Sequence, residues 1–216
     1  FPNQTNLMWF RGFSYSWTES GSPAFLRVGL TLCLALMTTL APAHASGKRP
    51  HLEALHRVDE PNGFSDVCVR YDWACTRSGR ATSTGREVLT IAQTVNTIIN
   101  RQTREVTDEV QYNRSEYWAL PTARGGDCED FALAKKQALI SKGIAAEKLL
   151  IATVLDRRNN PHAVLVLRID AGDYILDNVT NRILGWQETG YTFLRMQNPD
   201  SPSQWLAVLA GGVLGG

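Results

Sequence analysis

The stretch Gly125-Gly126-Asp127-Cys128-Glu129-Asp130-Phe131-Ala132 decides how the chain is read. Two glycines run into a cysteine set among three carboxylates. A helical pattern then begins, with Phe131, Ala134 and Ala138 on one stripe and Leu139 beside them. Lys142 falls in the last turn and Gly143 supplies a stop. The pattern predicts a helix of roughly four turns with Cys128 at its head. Unpaired N–H groups and the positive dipole end lie there. That setting can lower a thiol pKa, and the same N–H groups can hold an oxyanion. A cysteine so placed is either a nucleophile or a small packed residue, and residues elsewhere must decide.

A cysteine nucleophile needs a base and a group that orients the base. Of the four histidines, His44 lies in a leader-like segment, and His51 and His56 in a polar lead-in. His162 opens a strand pattern, and Asp177 stands in the next strand. Cys128, His162 and Asp177 thus form a nucleophile–base–orienter set. A two-residue turn at Ala171-Gly172 would set Asp177 opposite Val166. The two side chains would then share a face but stand about 13 Å apart, so contact needs a bulge or a different loop.

The wider chain bounds the reading. Its 216 residues, 44% hydrophobic, suffice for one packed domain. A formal charge of +1 from interspersed basic and acidic residues gives no field for nucleic acid. Residues 28–40 are apolar, follow Arg27 and end near Ala43-His44-Ala45, as a secretory signal peptide does. Cys33 lies inside the apolar run behind Leu32, which argues against lipidation. The expected organisation is an extension and signal peptide over residues 1–45 and a single domain over 46–216, exported to the periplasm. In an oxidising compartment Cys68 and Cys75 are expected to pair, leaving Cys128 as the free thiol.

In order along the chain, residues 46–66 read as an extended polar lead-in and 67–73 as a short strand. A loop rich in Ser, Thr, Gly and Arg follows. Thr84-Gly85-Arg86-Glu87 reads as a capping box before a helix over residues 86–101, whose apolar stripe is simplest as core. Residues 102–126 read as a long loop with Tyr112, Tyr117 and Trp118, the last either core or cleft wall. Strands follow at residues 149–155, 162–169 and 174–179, and residues 191–196 add a fourth. Helices first and an antiparallel meander after them make an α+β domain. The apolar, Gly-rich residues 205–216 fit a docked tail, a partner surface or disorder.

The carboxylates pose a second question. Asp127, Glu129 and Asp130 within one turn would raise the thiol pKa. A divalent cation would remove the conflict, and an all-oxygen set suits Ca²⁺. Asn178 could add an amide oxygen. The alternative is that the acids only complement the helix dipole.

Taken together, Val95-Asn96, Ile99-Asn100, Glu116-Tyr117-Trp118-Ala119-Leu120-Pro121-Thr122, Gly126-Asp127-Cys128-Glu129-Asp130-Phe131-Ala132, His162-Ala163-Val164-Leu165 and Tyr174-Ile175-Leu176-Asp177-Asn178 resemble the bacterial transglutaminase-like cysteine proteinases. The resemblance covers roughly residues 64–205. It implies a papain/transglutaminase-like fold, N-terminal helices packed on an antiparallel sheet, and a triad of Cys128, His162 and Asp177. It implies calcium at Asp127 and Glu129, with Asp130 and Asn178 joining. For partners it implies a protein substrate, a large surface adhesin cut beside a pair of alanines, and an inner-membrane cyclic-di-GMP receptor that sequesters the protease. The same triad serves acyl transfer to an amine, and a non-catalytic binding module is the remaining alternative.

Overall fold

In a computed structural model, residues 16, 50–78 and 85–215 are described. The expected signal peptide lies outside them. Among the described residues no helix is long and apolar enough to cross a membrane.

Helix α1, Val67–Arg70, and a 3₁₀ turn, Asp72–Ala74, stand where a short strand was expected. Cys68 and Cys75 bracket that turn and are joined by a disulfide, with Cα atoms 5.4 Å apart. Closing so short a loop favours a turn over an extended strand. Helix α2, Arg86–Gln102, begins after Gly85, whose φ of 84° leaves no side-chain cap. The expected capping residue, Thr84, lies outside the described residues. A short helix α3, Asp108–Tyr112, interrupts the stretch expected to be loop. Helix α4, Cys128–Ser141, runs for four turns and ends at Lys142 and Gly143, the latter at φ 87°.

The strands are β1 Arg57–Val58, β2 Leu149–Leu155, β3 Pro161–Ile169, β4 Gly172–Leu176, β5 Leu184–Gly185, β6 Thr192–Asn198 and β7 Ser201–Ala210. They form one sheet in the order β1-β7-β6-β2-β3-β4-β5, and each neighbouring pair is antiparallel. The expected meander therefore holds only from β2 to β5. β6 crosses back to the free side of β2, and the C-terminal stretch is not a tail but strand β7. Trp205 anchors it in the core with edge-to-face contacts to Phe64 and Trp118 at 5.0 and 6.0 Å.

Both sheet faces are buried, which is why β2 and β3 read as continuous apolar runs. On one face Ala163, Leu165 and Leu167 pack under α4, and α2 packs on α4. On the other, Val164 and Val166 join Leu52, Trp186 and Phe193. Helix α4 is therefore covered nearly all round rather than along one stripe. It buries even Lys135 and Lys136. The Lys136 ammonium donates to Ala74 O and Gln197 Oε1, each at 2.7 Å.

Candidate active site

The two glycines before the cysteine serve the approach to it. Gly125 has φ +126°, and a Cβ there would lie 2.0 Å from Arg104 O. A Cβ on Gly126 would lie 2.5 Å from Asp130 Oδ2. Without side chains, Gly126 N–H donates to Arg104 O and its carbonyl accepts from Val106 N–H. This pairing delivers the chain to Asp127, the residue before α4, in an extended conformation.

Cys128 is the free cysteine among the described residues and is half-buried at the head of α4. Its thiol donates to Glu129 Oε2 at 3.3 Å, and its sulfur accepts the Ala163 N–H. Burial, and then the Glu129 carboxylate, push the thiol well above its ordinary pKa.

His162 and Asp177 do meet. His162 Nε2 lies 2.9 Å from Asp177 Oδ1. The expected register is corrected by the turn, which is Asp170-Ala171 rather than Ala171-Gly172, because Ile169 pairs with Gly172 and Leu165 with Leu176. Continuing that register sets Asp177 level with Val164, about 7 Å along the strand from His162 instead of 13 Å. Asp177 also leaves the ladder just after β4, so its side chain closes the remaining gap.

Both carboxylate oxygens of Asp177 are supplied with donors. Oδ1 also accepts Val179 N–H at 3.0 Å, and Oδ2 accepts the Tyr191 hydroxyl at 2.6 Å. Burial opposes ionisation, but His162, Tyr191 and the Val179 amide outweigh it and hold the carboxyl below its usual range. Asn100 on α2 donates to Asp177 O at 2.8 Å and to Thr180 O, and Asn96 also donates to Thr180 O. Helix α2 thus fixes the loop after β4. Tyr191 and Asn100 have roles the residue pattern had not assigned. A fully buried asparagine within an apolar stripe, Asn96, was the signal for the second of these contacts.

A cleft of ≈ 360 Å³ is lined by Cys128, Glu129, His162, Ala163, Trp118 and Glu116, among others. Trp118 is both core and cleft wall, since it is buried against Phe64 and borders this space. The imidazole bonds to Asp177 through Nε2, which leaves Nδ1 for a partner in the cleft.

Behind Cys128, carboxylate oxygens of Asp108, Asp127 and Asp130 all lie within 4.8 Å of one another. Asp108, the first residue of α3, had no place in the expected set. Its amide donates to Asp127 Oδ2 at 3.1 Å, and its own carboxylate accepts Tyr117 N–H. Asp130 Oδ1 accepts Ala119 N–H at 2.7 Å. Asp127 Oδ1, Asp130 Oδ2 and Glu129 Oε1 are buried with no hydrogen-bond partner. Burial and then the Asp127 charge push Glu129 up to about 10. Burial, with Asp127 and Asp108 close by, pushes Asp130 up to about 8, and Asp108 moves the same way. Asn178 Oδ1 is also buried and unpartnered, but Asn178 makes no hydrogen bond to these acids. Orphaned, converging oxygens on like-charged groups are a donor set that fits a hard divalent cation.

Solved structures of Legionella pneumophila LapG are similar to the chain at 26% identity. The calcium-bound form covers 61% of this chain and 76% of LapG with a TM-score of 0.49. The EGTA-treated form covers 53% and 66% with a TM-score of 0.46. No curated protein matches the chain. Residues 54–212 match the family model described as bacterial transglutaminase-like cysteine proteinase BTLCP. With that match over most of its length, and with helices packed on an antiparallel sheet in the papain/transglutaminase-like manner, the chain belongs to the bacterial transglutaminase-like cysteine proteinases and is a cysteine protease.

Proposed function

We propose that the protein is a periplasmic, calcium-dependent cysteine endopeptidase with Cys128 as nucleophile, His162 as base and Asp177 as its orienter. The observation that carries this reading is the 2.9 Å bond between His162 Nε2 and Asp177 Oδ1 beside the cleft that holds Cys128. The thiol exchanges its Glu129 acceptor for imidazole Nδ1 and gives up its proton there. The sulfur then attacks the scissile carbonyl carbon, with the oxyanion received by N–H groups at the head of α4. Imidazolium returns the proton to the departing amine. Water, deprotonated by the same imidazole, cleaves the thioester and regenerates the thiol.

Asp127 and Asp130 with Asp108, and Glu129 at the edge, would hold the cation, which we assign as calcium. A bound cation there supplies the charge that lets these carboxylates ionise together next to the thiol. The unpartnered buried oxygens are the support for this assignment. LapG of L. pneumophila has been captured in a calcium-bound form. For substrate we assign a large surface adhesin cut near an Ala-Ala site, and for inhibitor an inner-membrane cyclic-di-GMP receptor. Export follows from the signal-like residues 28–45.

The test is cleavage of an adhesin fragment by the wild-type protein and by Cys128→Ala, in calcium and in chelator. Cleavage lost in the variant and in chelator supports the reading; cleavage by Cys128→Ala refutes it. A labelled primary amine in the same reaction separates hydrolysis from acyl transfer, since its incorporation into product would make the enzyme a transferase.

A further inference from the structure

A second cavity, of ≈ 510 Å³, opens on the Asp177 side of His162. Pro161 and His162 line both this cavity and the Cys128 cleft, so the two are adjoining spaces along one surface. The wall of the second includes apolar Ile175 and Leu184, with the exposed Val179 beside them. Three arginines, Arg157, Arg158 and Arg182, also line it.

Two carboxylates face these cations, and both are already engaged. Asp177 serves His162, Val179 and Tyr191. Asp156 accepts Arg158 N–H, Asn160 N–H and Asn160 Nδ2 within its own turn. Arg157 Nε donates to Thr189 O at 2.7 Å, which fixes that guanidinium at the cavity. Among the described residues the guanidinium groups of Arg158 and Arg182 have no hydrogen bond or ion pair. Guanidinium groups pair carboxylates in a planar, two-pronged geometry, and three of them against two carboxylates leave the cavity with an excess of positive charge. The molecule that reaches this cavity during turnover is the polypeptide already lying across Cys128 and His162.

We propose that the cavity is a specificity subsite for an aspartate or glutamate side chain of the protein substrate, near the scissile bond, with Arg158 and Arg182 as its specificity-determining residues. The proposal rests on the assignment of Cys128, His162 and Asp177 as the catalytic set.

A cleavage-site profile tests it. A peptide library from a digested bacterial proteome is incubated with the wild-type protein in calcium, and the new N-termini are read by mass spectrometry. Aspartate and glutamate should be enriched at one fixed position relative to the cut. In Arg158→Glu/Arg182→Glu the enrichment should turn to lysine and arginine at that position. The best acidic peptide should lose about an order of magnitude in kcat/KM relative to its asparagine counterpart, as two surface ion pairs allow. A wild-type profile without acidic preference, or one unaltered in the double variant, overturns the proposal. Binding separates this outcome from failure of the catalytic assignment. A fluorescent alanine-rich peptide with a central Asp-Asp should bind the Cys128→Ala protein more tightly than its Asn-Asn counterpart. Adding Arg158→Glu and Arg182→Glu should erase that difference; equal binding of the two peptides overturns the subsite. Cleavage by the Cys128→Ala protein would instead sink the catalytic assignment.

Discussion

Asp177 and Asp130 are both buried carboxyls of one site, yet their acidities move in opposite directions. Burial pushes each of them up. Asp177 is answered by an imidazole, a phenol and an amide, and ends below its ordinary value. Asp130 has one amide on Oδ1, nothing on Oδ2, and the acids Asp127 and Asp108 as neighbours. The difference lies in the supply of donors and charge, not in depth. One region is complete with protein atoms alone. The other leaves buried oxygens without a donor, and is where we propose that the cation binds.

The largest effect should come from removing the carboxylate of the complete region. Asp177→Ala should lower kcat by about ten-thousandfold, the order seen when the orienting acid of such a set is lost. A variant within tenfold of wild type would break the claim that this carboxylate orients the base. Next comes the incomplete region. Calcium at about 100 times its dissociation constant adds about 2.7 kcal/mol, worth about 5–10 °C in melting temperature for a domain of this size. Calorimetry in calcium and in EGTA measures it, and Asp130→Asn should shrink the gap. Identical melting in both would mean that the four acids hold no cation.

Tyr191→Phe sharpens the comparison by taking one donor from Asp177. A hydrogen bond to a charged group is worth about 1.5–3 kcal/mol. The folded-state pKa of Asp177 is depressed, so its contribution is present above the unfolded value and is lost as pH falls through the folded one. The variant should therefore unfold at a higher pH on the acid side, as followed by circular dichroism. An unshifted acid limb would count against Tyr191 as a donor that matters.

Lys136 gives a control for burial alone. Burial lowers it to about 7 from 10.5, with neutral acceptors as its partners. The unfolded chain keeps that proton to higher pH, so the contribution is full above the unfolded value and is lost as pH falls through about 7. Wild-type stability should gain from this group between pH 7 and 10, and Lys136→Met should flatten the slope.

Much of this was legible where the pattern is local. Strand β2 falls on its expected residues, and α4 starts at Cys128, because an unbroken apolar run and a glycine-to-helix junction need no distant information. The pairing of His162 with Asp177 was legible in residue type but not in register, since a turn moved by one residue shifts the partner by two. Asp108 was out of reach because nothing local marks one acid in a polar stretch as the neighbour of two others. Lys135 and Lys136 were read past because periodicity assumes that lysine stays wet. Residues 67–73 misled because a short bridged loop carries no period, and β7 because apolar residues before several glycines look like a loose end.

The sheet keeps its long strands inside and ends on two strands of two residues each, β1 and β5. So brief a selvage does more than finish a fabric: it denies a foreign strand the row of open amides on which aggregation begins. A chain trimmed to begin at Asp59 would lose β1 and uncover its partners Trp205 and Leu206 in the middle of β7 along that margin. Such a truncation should turn a self-contained protein into one that recruits its own copies.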